Sequence, residues 1–283
     1  MARMRNLLPD CLPSERDYRA VLESAEFRDM GVFSERFLAS NADALRGYAK
    51  RWGRDPLHQW SRQWEYPFVF SRLGMDSGQD RRATILDAGS GVTFFPYYIR
   101  EKYESVDVRC CDSDARLKEI YEKINNRSAH RVEFRRADIR NIPCEDGSCD
   151  AVYCISVLEH TGRFEDIIGE FHRIIRPGGR LIVTFDVSLD GTRDISLSQG
   201  ARLIEALLEK FDSPERIDRN LSAQAATPGI FTTVSAGRMD ENLLPWTYPA
   251  ILYRLKSLLT GKGFGPWPPV LTVFCLGLTK SST

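Results

Sequence analysis

Four carboxylates stand at the ends of apolar runs. Asp87 follows Thr84, Ile85 and Leu86; Asp112 follows the run from Val106 to Cys111; Asp138 closes the run from Val132 through Ala137; and Asp186 ends the run from Leu181 to Phe185. Between the first two lies Gly89-Ser90-Gly91, a turn that lets backbone approach a ligand closely. A carboxylate accepts two hydrogen bonds at once, which suits the vicinal hydroxyls of a ribose. From Gly89 to Asp112 is 112 − 89 = 23 positions, close to the roughly 20 that separate turn and acid in nucleotide-binding strand-helix-strand units. The third glycine of the dinucleotide pattern is absent, because Phe94 stands in its place. Glycine there lets the helix pack close beneath a pyrophosphate, so a nucleoside without phosphates is the expected ligand.

His160 follows the apolar run from Asp150 to Ser156 and is the candidate general base, with orientation of a loop as the competing role. His58, His130 and His172 read as surface or packing residues. Neither histidines nor cysteines show metal-ligand spacing, so no metal is expected. The seven cysteines are odd in number and form no Cys-x-x-Cys pair, which suggests reduced thiols in a cytoplasmic protein.

These residues require strands to carry them. Thr84–Asp87, Val106–Cys111, Val132–Arg136, Asp150–Ser156 and Leu181–Phe185 read as strands. Helices alternate with them: one starts near Pro96, one spans Ala115–Lys123, and one buries Phe164, Ile167, Ile168, Phe171, Ile174 and Ile175 on a single face. Arg176-Pro177-Gly178-Gly179 is expected to stop that last helix. A further amphipathic helix carries Leu203, Ile204, Leu207, Leu208 and Phe211, and Val270 opens a final strand. Such alternation predicts a Rossmann-like, doubly wound, mostly parallel sheet with helices on both faces.

Residues 1–79 read as a helical accessory region, broken into short helices by Pro56 and Pro67. Its aromatic segment Trp60–Leu73 is expected to pack against the sheet edge. The alternative is a lid over the ligand built from Trp64, Tyr66 or Phe68. Residues 80–283 form the main domain, with core motifs over 83–187, a cap insertion over about 188–269 and the last strand over about 270–280. The cap holds Trp246, Tyr248, Tyr253 and Trp267 among Arg254, Lys256 and Lys262. It reads as a cover for a small molecule, with peripheral membrane contact through 246–267 as the alternative.

Bulk properties narrow the field. The chain has 283 residues, 42% of them hydrophobic, enough for a sizeable core, and it carries 39 basic and 39 acidic side chains. A balanced charge gives no global positive field, so nucleic acid is not an expected partner. The N-terminus has no apolar run of signal-peptide length, and no run of about 18 apolar residues predicts an integral membrane span.

The ordered set ILDAGSG, Asp112, RRADIRNIP, CDAVYCISVLEH and RIIRPGGRLIVTF resembles the class I S-adenosylmethionine-dependent methyltransferases. It looks most like the branch typified by the ubiquinone and menaquinone biosynthesis enzymes. The resemblance spans about residues 83–187 and departs from the family at Thr93, where a further glycine is frequent. It implies a seven-stranded sheet. It also implies that Asp87, Gly89 and Gly91 border the amino-acid moiety of S-adenosylmethionine, with Asp112 on the ribose. Asp138 and Ile139 would flank the adenine and Ile155 to Glu159 would run under the sulfonium, with Ala88, Ser90, Ser113 and Ser156 completing the cofactor set. Each acid has a plainer alternative, the satisfaction of loop amides. The implied reaction is in-line transfer of a methyl group to an oxygen, or less readily a nitrogen, of a small metabolite, saccharide or secondary-metabolite scaffold, leaving S-adenosyl-L-homocysteine. The competing readings are methylation of a peptide or protein carboxylate or side chain, and an S-adenosylmethionine-binding module without turnover.

Overall fold

The computed structural model describes residues 8–48, 57–74, 82–246 and 267–282. In chain order the helices before the sheet are α1 (Glu15–Leu22), α2 (Ala25–Ser40), α3 (Ala42–Leu45) and α4 (Arg62–Leu73). Then β1 (Ala83–Ala88), α5 (Phe95–Lys102), β2 (Val106–Asp112), α6 (Leu117–Asn125), β3 (Glu133–Arg136) and β4 (Cys149–Ile155) alternate. They are followed by α7 (Phe164–Ile174), β5 (Ile175–Ser188), β6 (Ile195–Ser196), α8 (Leu197–Lys210), α9 (Leu221–Ala225), α10 (Thr233–Met239) and β7 (Leu271–Thr279).

The seven strands form one sheet in the order β3-β2-β1-β4-β5-β6, with β7 antiparallel along β5 and every other pairing parallel. The chain winds outward from β1 to β3 and then returns to place β4 on the other side of β1. The carboxyl ends of β1 and β4 therefore flank a reversal of winding, where open α/β sheets bind their ligands. Register sets Asp87 opposite Cys110 on one side and opposite Tyr153 on the other.

Alternation of side chains sorts each strand between two apolar layers. Ile85, Val108, Tyr153, Ile182 and Val273 belong to one layer, which also receives α4 to α6. Leu86, Cys111, Val152, Val183 and Phe274 belong to the other, covered by α7 and α8. In α7, Ile167, Ile168, Phe171 and Ile174 are buried, each contributing about 1.5–3 kcal/mol relative to an exposed position. Helices thus cover both faces of a mostly parallel sheet.

Three local expectations are corrected. Arg176-Pro177-Gly178-Gly179 does not lie between helix and strand: α7 ends at Ile174, and β5 runs from Ile175 for 14 residues. A shift in register, from Cys149 opposite Ile175 to Ala151 opposite Arg180, absorbs the extra residues. A Cβ at Gly179 would lie 2.8 Å from the Arg176 carbonyl oxygen and 2.7 Å from Ile175 Cγ2, so only glycine fits this bulge. The strand also continues past Asp186, because β7 pairs with it as far as Ser188. Pro67 does not break a helix but sits inside α4, where the hydrogen bond lost is the one to the Gln63 carbonyl. Of the lid candidates, Trp64 and Phe68 are fully buried in the core, as the packed-helix reading expects, while Tyr66 reaches the cavity described below.

One strand has no counterpart in the sequence reading. The two-residue β6 pairs with Val187 and Ser188 on the edge of β5 that β4 occupies farther back, so it lies just beyond the end of β4. The helix expected near Ile251–Leu259 lies outside the described residues, as do Tyr248, Tyr253, Arg254, Lys256, Lys262 and Pro56. Trp246 and Trp267, which flank that stretch, bring their rings to 6.1 Å. Among the described residues no helix is long and apolar enough to cross a membrane.

Candidate active site

The glycine turn leaves β1 with Gly89 at φ +76°, and a Cβ there would lie 2.7 Å from Val157 Cγ2. Every amide of the turn is already engaged. Gly89 N and Ser90 N both donate to the Cys111 carbonyl, at 2.9 and 3.0 Å. Gly91 N donates to Asp112 Oδ2 at 3.0 Å and Val92 N to Tyr48 Oη at 3.2 Å. Asp112 Oδ1 accepts from Asp114 N at 2.9 Å, so Asp112 ties the turn to its own loop and still lines the adjoining cavity. Beneath the turn, the buried Tyr121 hydroxyl donates to the Gly91 carbonyl at 2.9 Å.

The cavity has a volume of about 830 Å³, within the range of small-molecule sites. Asp87, Gly89, Ser90, Gly91, Asp112 and Ser113 line one part of it; Asp138 and Ile139 line another; Ile155, Ser156 and His160 line a third. Ala88 is buried within β1 and lines nothing. Glu159 is likewise buried behind the cavity wall, which on this side ends with Val157 before resuming at His160. Among the described residues no group of His, Cys, Asp and Glu is placed to hold a metal ion.

The acids differ in electrostatic state. Burial pushes the Asp87 carboxyl up to about 8, against the opposing effect of the Tyr153 hydroxyl and the Arg62 guanidinium. Asp138 is half exposed and gripped by Arg140 through both carboxylate oxygens, which holds it down at about 2. Burial also pushes Glu159 up to about 8 and Asp186 well above the carboxylate range. Glu159 Oε1 accepts from Asp186 N at 3.2 Å, while Glu159 Oε2 and Asp186 Oδ1 are buried without a partner.

His160 Nδ1 lies 3.6 Å from Asp194 Oδ1, an ion-pair distance too long for a hydrogen bond. The imidazole is 62% exposed and lines the cavity. Asp194 immediately precedes β6 and has φ +48°, a costly conformation for a residue with a Cβ. The short strand beyond β4 is what carries this carboxylate to the histidine.

Sequence reasoning missed the contributions of the N-terminal region. Tyr48 and Arg62 line the cavity unforeseen, beside Tyr66, which the lid alternative names. Arg62 Nη1 pairs with Glu65 and donates to Ser156 Oγ at 2.6 Å, 94 positions away in the chain. Glu65 Oε1 accepts from Ser156 Oγ at 2.7 Å and from Thr184 Oγ1 at 2.5 Å. The signal in the sequence was an arginine and a glutamate spaced i, i+3 in an otherwise aromatic segment.

A glycine turn, an acid at the end of the neighbouring strand and a cavity at the switch point together define a doubly wound α/β domain with a candidate ligand site. Comparison with known proteins adds a likeness: residues 86–183 match the family model of the methyltransferase domain. The demethylmenaquinone methyltransferase of Thermus thermophilus is 28% identical over 99 residues, covering 35% of this chain and 45% of that protein. The chloroplastic tocopherol O-methyltransferase of Arabidopsis thaliana is 28% identical over 186 residues, covering 63% of this chain and 51% of that protein. The chain therefore spans about half the length of these curated relatives. The geranyl diphosphate C-methyltransferase of Streptomyces coelicolor A3(2) shares the fold, with a TM-score of 0.52, 14% identity and coverage of 77% of this chain and 76% of that one. Over residues 86–183 this chain is therefore similar to the methyltransferase domain, and demethylmenaquinone methyltransferases are among its curated relatives.

Proposed function

We propose that the protein binds S-adenosylmethionine in this cavity and transfers its methyl group to an oxygen of a small metabolite, saccharide or secondary-metabolite scaffold. One observation carries the reading: the glycine turn, Asp112, Asp138, Ile139 and Ser156, distant in sequence, line a single cavity at the switch point. Because all four turn amides are paired within the protein, the turn has no free donors for a pyrophosphate, as expected of a nucleoside site. In this reading Asp112 receives the ribose hydroxyls, Asp138 and Ile139 flank the adenine, and Arg62 faces the carboxylate of the amino-acid moiety. The sulfonium lies over Ile155 and Ser156. The segments 1–79 and about 188–269 complete the acceptor side.

The reaction is a direct displacement. An acceptor lone pair forms the new bond to the methyl carbon as the carbon–sulfur bond breaks, and S-adenosyl-L-homocysteine departs. The acceptor's proton passes to His160. Alignment of two bound reactants supplies about 7–11 kcal/mol, and a general base about 10²- to 10⁴-fold in rate, so positioning dominates.

Calorimetry with S-adenosylmethionine and S-adenosyl-L-homocysteine tests the cofactor assignment. Asp112→Ala is expected to weaken both by about tenfold or more, the loss of hydrogen bonds to a charged group. Absence of binding, or undiminished binding by the variant, would overturn it. A panel of hydroxyl- and amine-bearing acceptors then tests the transfer step.

A further inference from the structure

Three guanidiniums line the cavity: Arg140 is clamped by Asp138 and Arg163 by Asp166, both largely exposed, so Arg62 is the buried one. Arg62 is 15% exposed at its side chain and lines the cavity. Its Nη1 serves both Glu65 and Ser156, while Nε and Nη2 make no hydrogen bond among the described residues. A planar fork with free donors is the group that best matches a carboxylate. The glycine turn cannot compete for that carboxylate, since its amides from Gly89 to Val92 are all engaged.

A nearly buried guanidinium on a long side chain needs something to hold it. Three buried or half-buried acids, Glu65, Glu159 and Asp186, interact electrostatically with Arg62, and they are not equivalent. Glu159 Oε2 and Asp186 Oδ1 are without partners. Glu65, with no exposed surface, is saturated: Oε2 pairs with Arg62, and Oε1 takes the Ser156 and Thr184 hydroxyls. Those hydroxyls come from the carboxyl ends of β4 and β5, so the sheet itself anchors the carboxylate. Ser156 adopts φ +49°, and its hydroxyl accepts from Arg62 while donating to Glu65. Strain of about 1 kcal/mol or more at a residue other than glycine persists where the surroundings over-determine it.

We infer that Glu65 is a positioning residue: with Ser156 and Thr184 it forms a buried platform that aims Arg62 at the α-carboxylate of the cofactor's amino-acid moiety. This rests on the cofactor reading above. Without the Glu65 charge, the guanidinium turns toward the unpartnered oxygens of Glu159 and Asp186, and the carboxylate loses its partner. The adenosine end of the site, built on Asp112, Asp138 and Ile139, is untouched by that change.

The test compares two nucleosides that differ in the amino-acid moiety. Calorimetry on the full chain uses S-adenosyl-L-homocysteine and 5′-methylthioadenosine, which keeps adenosine and sulfur but has no carboxylate. Wild type is expected to bind S-adenosyl-L-homocysteine at least about tenfold more tightly, the worth of one charge-assisted hydrogen bond. Arg62→Gln and Glu65→Gln should each erase most of that preference while leaving 5′-methylthioadenosine affinity within about threefold. If Glu65→Gln melts below the assay temperature, Thr184→Val, which removes one donor to the platform, decides by the same ratio. Binding of neither nucleoside by wild type would overturn the cofactor reading and this inference with it. Equal affinity of wild type for both would overturn the role of Arg62. A preference lost in Arg62→Gln but intact in Glu65→Gln would overturn the role of Glu65 alone.

Discussion

Gly89→Ala probes the turn on which the cofactor site depends. Gly89 has φ +76°, and holding an L-residue in left-handed backbone costs about 1–2 kcal/mol. The added Cβ would lie 2.7 Å from Val157 Cγ2, 3.1 Å from Cγ1 and 3.4 Å from Cβ. Both methyls and their branch point face the intruder, so no rotation of Val157 clears it and backbone must move, at about 1–3 kcal/mol for overpacking. The sum is about 2–5 kcal/mol, which lowers the melting temperature by about 4–20 °C at the roughly 2–4 °C per kcal/mol of large domains. Displacing the turn also disturbs the Gly89 N to Cys111 carbonyl bond and the wall of the cavity. Affinity for S-adenosyl-L-homocysteine should therefore fall about 30-fold or more, equivalent to about 2 kcal/mol. Thermal melts and calorimetry on Gly89→Ala and on Gly89→Ala with Val157→Ala separate the two costs. The double variant recovers only the steric share. Melting within 1 °C of wild type together with affinity within about twofold would refute the reasoning, and full recovery in the double variant would show that the backbone cost is absent.

Three further outcomes are expected. His160→Gln should lower kcat on a hydroxyl acceptor by about 10²- to 10⁴-fold with S-adenosyl-L-homocysteine affinity unchanged; an unaltered kcat assigns the ring to loop orientation instead. Burial lifts Asp87 from 3.8 in the unfolded chain to about 8, so between those values the folded state holds a proton that the unfolded state releases. This group therefore lowers stability as pH rises from about 4 to about 8, by up to about 1.4 kcal/mol per pH unit, and adds no further loss above that. Urea melts of wild type and Asp87→Asn across that range should show a flatter slope for the variant, and identical slopes would contradict the assignment. Chelation with EDTA should leave methyl transfer unchanged; loss of activity restored by a divalent cation would overturn a metal-free mechanism.

Much of the site was legible because the signals are local. A strand in a doubly wound sheet writes itself as a short apolar run, and its carboxyl end is where side chains meet ligand. Asp87, Asp112, Asp138 and Ser156 were therefore placed by their position in the chain. Errors arose where one local pattern allows two structures. Arg-Pro-Gly-Gly ends helices in general, but here parallel pairing with β4 draws Ile175 into the strand and leaves the glycines in a bulge. The aromatic segment of α4 was expected to pack on the sheet, and Trp64 and Phe68 are buried there, while Tyr66 of the lid alternative lines the cavity.

The sequence by itself determined the class of sheet, because that follows from period and strand order, and it singled out the glycine turn and the acids that line the candidate cavity. Only the tertiary structure brought Arg62 and Glu65 to Ser156 and Thr184, Tyr48 to the Val92 amide, and Asp194 to His160. Those contacts join residues about 34 to 119 positions apart, and no local pattern encodes them. They exist because α4 packs on the sheet and because the two residues of β6 occupy the edge that β4 leaves open.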